Sequence, residues 1–198
     1  MSLQPVQSTN GRSLWEDLPA GTRVEPDWIR IRPIRDSDAE ALRHAFEGLS
    51  QSSRYFRFHS PLRQLSDRMA RYLTHVDGID HVALVAIDRS HAAALGIGVA
   101  RFVRNPRAPE TAELAITVID EAQGHGVARN LLEALGHAAE RRGVREFTMV
   151  VLSGNHKVRR MLTHLGAVAR GSEGEVIHFA LPVRALIASH VQPNAALA

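Results

Sequence analysis

At 198 residues, 44% of them hydrophobic, the chain is long enough for one domain with a sizeable core and too short for two ordinary enzyme domains. Its formal charge of +3 and pI near 10.1 come from scattered arginines, with Lys157 the single lysine, and no basic run interleaved with aromatics marks a nucleic-acid surface. The absence of cysteine excludes a disulfide framework, a thiolate nucleophile and a cysteine metal site, and no apolar stretch has the length of a signal-peptide core or a membrane span.

Residues 1–26 are polar and broken by Pro5, Gly11, Pro19, Gly21 and Pro26, so a flexible N-terminal arm is expected, docked by Leu14 and Trp15. The alternation in Trp28 to Arg32 predicts a first strand with its arginines facing solvent. Ser37 followed by Glu40 reads as a capping box for a helix ending near Gly48. The aromatics of Leu49 to His59 predict a helix or an irregular segment packed on the sheet, and a further helix is expected from Ser66 to His75. His81–Asp88, Ala94–Val103 and Ala112–Val118 read as three strands of a meander, with Gly96 and Gly98 marking a bulged or twisted stretch.

After Val118 the chain passes through Gln123-Gly124-His125-Gly126-Val127-Ala128 into a long helix with Leu131, Leu132 and Leu135 at helical spacing. Two glycines separated by one residue let the main chain approach a ligand, and the first-turn amides of the helix form an anion site suited to a phosphate. Gly-x-Gly alone is equally an ordinary strand-to-helix turn. The spacing is wrong for a dinucleotide fingerprint, and no Gly-Lys-Ser/Thr follows as in a Walker loop. Gly143 ends the helix, Glu146–Leu152 is a fifth strand, Asn155 opens a helix that Gly166 ends, and a hairpin around Gly171 and Gly174 closes the sheet before a C-terminal tail, 183–198.

Gln123, Gly126 and Ala128 resemble the Gln/Arg-x-x-Gly-x-Gly/Ala pyrophosphate loop of the GNAT superfamily of N-acetyltransferases, and Asn155 to Ala167 is similar to its second signature. The phrases Arg-Pro-Ile-Arg-Asp-Ser-Asp (32–38) and Leu-Ser-x-x-Ser-Arg-Tyr-x-Arg-Phe (49–58) resemble the acetyltransferase domain of bacterial Pat-type protein lysine acetyltransferases. The resemblance implies an α/β (α+β) GNAT fold over residues 27–182: a mixed, mostly antiparallel sheet of six to seven strands, its central strands splayed, with about four helices.

It further implies acetyl-CoA as co-substrate, with pantetheine along Ile116 and Val118 and the pyrophosphate held by Gln123, Gly124, His125, Gly126, Val127, Ala128 and Arg129. Asn155 is then a pantetheine contact, a helix cap or both, and Arg129 a phosphate contact or a solvated residue. Glu113 falls where Pat-type domains carry a catalytic glutamate; the plain alternative is a strand glutamate paired with an arginine. The tyrosine that many GNAT enzymes use as acid is replaced by Leu162, which leaves Ser153, His156 or water for that role. The eleven histidines show no metal-ligand spacing, so no metal is expected; His59 and His81 are secondary candidates.

The expected activity is acetyl transfer to a primary amine by direct attack in a ternary complex, with protein lysine as the leading acceptor. A small amine or polyamine acceptor, or an acyl-CoA-binding module without catalysis, stands beside it. A cytoplasmic location is expected, with no nucleic-acid or membrane partner and a homodimer left open.

Overall fold

The computed structural model describes residues 27–90 and 95–187. The proposed N-terminal arm and most of the C-terminal tail lie outside them. Seven strands form one sheet in the order β1-β2-β3-β4-β5-β7-β6, with β1 Ile29–Pro33, β2 His81–Asp88, β3 Leu95–Arg104, β4 Thr111–Val118, β5 Glu146–Leu152, β6 Val168–Glu173 and β7 Val176–Pro182. All neighbours are antiparallel except β4 and β5, which run parallel and are joined by the crossover helix α4, Val127–Glu140.

One face of the sheet is covered by α4, whose Leu131, Leu132, Leu135 and Ala139 are fully buried against the strands, and by α6 (Val183–Ile187), which packs on α4. The other face carries α1 (Ala39–Glu47), α2 (Gln51–Phe58) and α3 (Asp67–Thr74), gathered around a smaller apolar cluster of Phe46, Leu49, Leu65 and Ala70. Because β2 is covered on both faces, Val82 to Ile87 are all buried, which explains a continuous apolar run where a half-buried strand would alternate. The helix α5 (His156–His164) follows β5 and buries Leu162.

Six α-helices stand among the described residues where about four were expected, because Gln51–Phe58 winds as a helix of its own, capped by Ser50 accepting from the Ser53 amide, and Val183–Ile187 adds another. Ser37 is not a cap. It lies inside a 3-10 turn, Asp36–Asp38, where the Asp38 carboxylate takes the Arg35 amide at 2.8 Å and both ends of the Arg32 guanidinium at 2.7 and 2.8 Å. Arg32 does not face open solvent as the alternation predicted, because the α1–α3 layer covers its side of β1 and Asp38 pairs with it there. At Gly96 and Gly98 the bulge is present: the register slips between Ala86 and Ile87, leaving Ile97 as the extra residue.

The decisive feature is the β4–β5 junction. These strands have eight and seven residues, yet only three pairs form, Thr111–Glu146, Ala112–Phe147 and Glu113–Thr148, after which the strands diverge. Beneath the paired end, the fully buried rings of Phe102 and Phe147 stand 5.8 Å apart. Phe147→Ala removes that packing where the two halves of the sheet meet, and should cost about 3–5 kcal/mol in urea unfolding; a loss below about 1 kcal/mol would show that the junction is held otherwise.

Candidate functional site

The splay exposes backbone. The Ile119 amide bonds the Ile97 carbonyl at 3.0 Å, which fixes the alternation along β4: odd-numbered residues exchange hydrogen bonds with β3, and Ile116 and Val118 turn their amides and carbonyls toward β5. Since β5 has already turned away, the result is an open strand edge inside the sheet, ready to take an extended ligand as an inserted strand.

At the C-terminal end of that edge lies the glycine turn. Gly124 and Gly126 have φ of +84° and +81°, which L residues rarely adopt, and a Cβ on Gly124 would meet nothing within 4 Å. The first α4 amide to find an i−4 partner is that of Asn130, to Gly126 O at 3.1 Å, so the amides of Val127, Ala128 and Arg129 are the unpaired first-turn donors of the helix. Val127 is buried and anchors the turn, whereas His125, Gly126 and Arg129 are exposed. This is a cradle of N–H groups at the positive end of a helix of fourteen residues, fit for an anion.

The turn is held in place by a hub that the sequence reading missed. Asp120 takes the Ser50 amide at 3.0 Å, the Ser53 hydroxyl at 2.6 Å and the Gln123 side-chain amide at 2.9 Å. Gln123 also donates to the Val118 carbonyl at 3.2 Å, so its side chain ties the turn back across β4. Burial pushes the Asp120 carboxyl up, but the Ser50 and Ser53 donors and the Lys157 charge outweigh it and hold the group below the usual carboxylate range. Lys157, in the first turn of α5, reaches Gln123 Oε1 at 3.5 Å and so stands beside the anion cradle. Asn155 caps α5, its Oδ1 accepting from the Val158 amide at 3.2 Å, which leaves its –NH₂ as the donor on offer.

The opposite face of β4 carries the charged side chains. Directly paired residues share a face, so His81, Val103, Glu113 and Thr148 form one row across four strands, and Ala83, Arg101 and Ala115 form the next. Glu113 occupies the last paired position before the splay, is exposed, and makes no ion pair or side-chain hydrogen bond among the described residues. Val103 and Val150 beside it are 44% and 43% exposed, an open apolar floor around a lone carboxylate. The arginine nearest to it electrostatically is Arg57, at the end of α2: burial pushes the Arg57 guanidinium down and Glu113 pulls it up.

Arg101 is only 6% exposed. Burial and the neighbouring Arg57 charge push it down to about 10, so it remains cationic at neutral pH. Its Nη1 lies 3.2 Å from His81 Nε2, and because a guanidinium can only donate, that nitrogen carries the lone pair and Nδ1 the proton. Burial and the Arg101 charge accordingly hold His81 below its ordinary value, Asp77 opposing them. His59, the other secondary candidate, is the left-handed C-cap of α2 (φ 51°) and plays a backbone part.

The chain matches the family described as acetyltransferase (GNAT) domain over residues 29–168. It belongs to the GNAT acetyltransferases. The acetyltransferase Pat of Mycolicibacterium smegmatis is 35% identical over 144 residues, 72% of this chain but 42% of that protein, so the chain spans less than half of that relative's length. Acetyltransferase PA5475 of Pseudomonas aeruginosa is 28% identical over 76% of the chain and 82% of its own length. Among solved structures, the GNAT domain of S. lividans PAT superposes with a TM-score of 0.72 at 33% identity, covering 78% of this chain and 90% of that one.

As a GNAT domain, the chain departs from the familiar pattern at Leu162, which is 1% exposed and part of the main core, so no phenol stands there. Its two tyrosines, Tyr55 and Tyr72, lie on α2 and α3. Ser153 and His156, the other acid candidates, are both exposed beside the α5 start. No group of three or more metal-ligating side chains gathers among the described residues, and no described helix is long and apolar enough to cross a membrane.

The His81–Arg101 contact makes stability pH-dependent. With the folded value depressed below about 6.5, the unfolded chain binds more protons between the two values; the contribution is complete above about pH 6.5 and is lost as pH falls through the folded value. The wild type should lose more stability between pH 7 and pH 5 in urea unfolding than His81→Gln, which keeps an acceptor for Arg101 but does not titrate. Equal losses would refute the linkage.

Proposed function

We propose that this GNAT domain transfers the acetyl group of acetyl-CoA to a primary amine, with a protein lysine as acceptor, by direct attack within a ternary complex. The observation that carries the reading is spatial: a lone exposed carboxylate, Glu113, at the vertex where β4 and β5 part, with an open strand edge leading from it to an anion cradle.

On this reading, pantetheine lies along the Ile116 and Val118 backbone and the pyrophosphate sits on the amides of Gly124 to Arg129, with Gln123 holding the turn and Lys157 adding a charge that screening makes modest. Asn155 offers its –NH₂ from the far bank of the splay. The thioester then falls near the vertex, and the acceptor approaches from the α2 side of the sheet, where Val103 and Val150 leave room.

A lysine with pKa near 10.4 is almost wholly protonated at neutral pH, and reaching the free amine costs roughly 4–5 kcal/mol on a scale of about 1.36 per unit. Glu113, directly or through one water, takes that proton as the nitrogen attacks the thioester carbonyl. The tetrahedral adduct collapses to the amide and expels CoA thiolate, whose pKa of about 8.5 makes its departure near neutral pH undemanding. Leu162 in place of a tyrosine is therefore tolerable, since the leaving group needs little help. The same-row neighbours Thr148 and His81 stand one and two strands away from Glu113, and neither is required as a proton relay.

A lysine rather than a polyamine is favoured by the similarity to the acetyltransferase Pat and to the GNAT domain of S. lividans PAT, and by the flat, open surround of Glu113, which suits a side chain presented by a folded partner. The test is release of CoA thiol with a panel of proteins, lysine peptides and polyamines. Wild type should turn over lysine substrates, and Glu113→Gln should lower kcat by about 10²–10⁴ while leaving acetyl-CoA binding intact. Tight acetyl-CoA binding without release for any acceptor would overturn the enzyme; unchanged turnover in the variant would overturn Glu113 as base.

A further inference from the structure

Between the sheet and the α1–α3 layer lies a cavity of about 90 Å³, and three arginines reach its wall: Arg32, Arg57 and Arg101. Arg32 is neutralised by its bidentate Asp38. The other two are not. Neither Arg57 nor Arg101 forms an ion pair among the described residues, although the Arg57 charge bears on Arg101 and Arg101 is 6% exposed. Among the described residues the one hydrogen-bonding contact of the Arg101 guanidinium is the neutral imidazole of His81, which offers a lone pair and no charge. Arg57 rests over the Phe58 ring at 4.9 Å, its planar group held by stacking with its N–H donors left over.

Glu113 acts on Arg57 from across the face, but Arg101 stays a buried cation with no carboxylate paired to it among the described residues, a costly arrangement that an arriving anion would relieve. The cavity has room for a carboxylate. Its lining runs along the Glu113 face of β4, where Arg101 pairs with Ala115, as far as Thr117 and Ile119.

We propose that Arg57 and Arg101 recognise a carboxylate carried by the acceptor, an aspartate or glutamate side chain close in sequence to the lysine that Glu113 faces; this rests on the reading of the chain as a lysine acetyltransferase. The register sets the spacing. Glu113 and Arg101 are diagonal neighbours on adjacent strands, roughly 7–8 Å apart. In an extended peptide, residues i and i+2 project the same way and are separated by about 6.6 Å. A lysine with an acid two residues away thus presents its amine to Glu113 and its carboxylate to the arginine pair. The two arginines also keep the acid of the acceptor from competing with Glu113 for the amine, because each carboxylate has its own cation or ammonium.

The experiment uses the full chain and matched peptides in which a glutamate two residues before or after the lysine is replaced by glutamine or by arginine. Both kcat/KM, from CoA-thiol release, and Kd, from fluorescence anisotropy of labelled peptides, are measured for wild type, Arg57→Gln and Arg57→Lys. A parallel arm compares free lysine with lysine amide, where the carboxylate is the acceptor's own. The expected result is a preference of about tenfold for the glutamate peptide over the glutamine one, the size of a charge-assisted hydrogen bond. It should fall toward unity in Arg57→Gln, return in part in Arg57→Lys, and weaken with added salt. A preference confined to free lysine over its amide would overturn the peptide acceptor proposed here. Equal values for glutamate, glutamine and arginine peptides in wild type would overturn the anion subsite while leaving the enzyme standing. Conversely, a charge preference in Kd with no thiol release for any acceptor would keep the subsite and overturn the transferase.

Discussion

The molecule depends on a deliberately short seam. A parallel pair with eight and seven residues available could form a longer ladder, but three pairs form and the strands then separate. Backbone groups left unpaired inside a sheet cost free energy unless a partner or water meets them, so the splay persists only because both halves are anchored elsewhere. On one side β4 is paired with β3 along seven residue positions; on the other, β5 is paired with β7 along seven more. Under the seam, α4 bridges the two halves with a face in which Leu131, Leu132 and Leu135 are wholly buried. The opening is thus bought with packing on either side, and the edge it leaves is the main element of the site.

A second constraint links the opening to the helical layer above it. Asp120, just past β4, accepts from Ser50 and Ser53 of the α1–α2 region and from Gln123 of the glycine turn, so one carboxylate holds the anion cradle and the first turn of α2 in register. At its other end α2 places Arg57 opposite Glu113. The helix therefore spans the site from the cradle to the vertex, and its position is fixed at the cradle end by hydrogen bonds across nearly seventy residues of sequence. Charge is distributed accordingly: an anion cradle at the top of β4, an exposed carboxylate at the vertex, and over the same face the guanidiniums of Arg57 and Arg101, neither in an ion pair among the described residues.

Much of this was legible in the chain itself, for identifiable reasons. The long strands and α4 declare themselves because burial on known faces imposes periodicity, and the glycine turn because two positions with φ above +80° leave glycine little competition. The helix expected from Ser66 is α3, and Ser66 caps it, accepting from the Met69 amide. The same rule failed at Ser37, where the Asp38 carboxylate is held by Arg32 and the Arg35 amide and the local turn follows that tertiary contact. Glu113 is singled out in the sequence by its register before the turn, whereas Asp120, Arg57, Arg101 and Lys157 take their surroundings from partners remote in sequence. Arginines are so frequent here that their spacing alone does not separate Arg57 and Arg101 from those on the surface.

The central claim is that the open edge of β4 is where acetyl-CoA lies. Amide hydrogen exchange on the full chain, with and without saturating acetyl-CoA, reads that edge directly. The account predicts added protection at the Ile116 and Val118 amides and across Gly124 to Arg129, with little change along Leu84 to Ile87 in the closed part of the sheet. Protection confined to other segments, with Ile116 and Val118 exchanging at the same rate in both states, would contradict it.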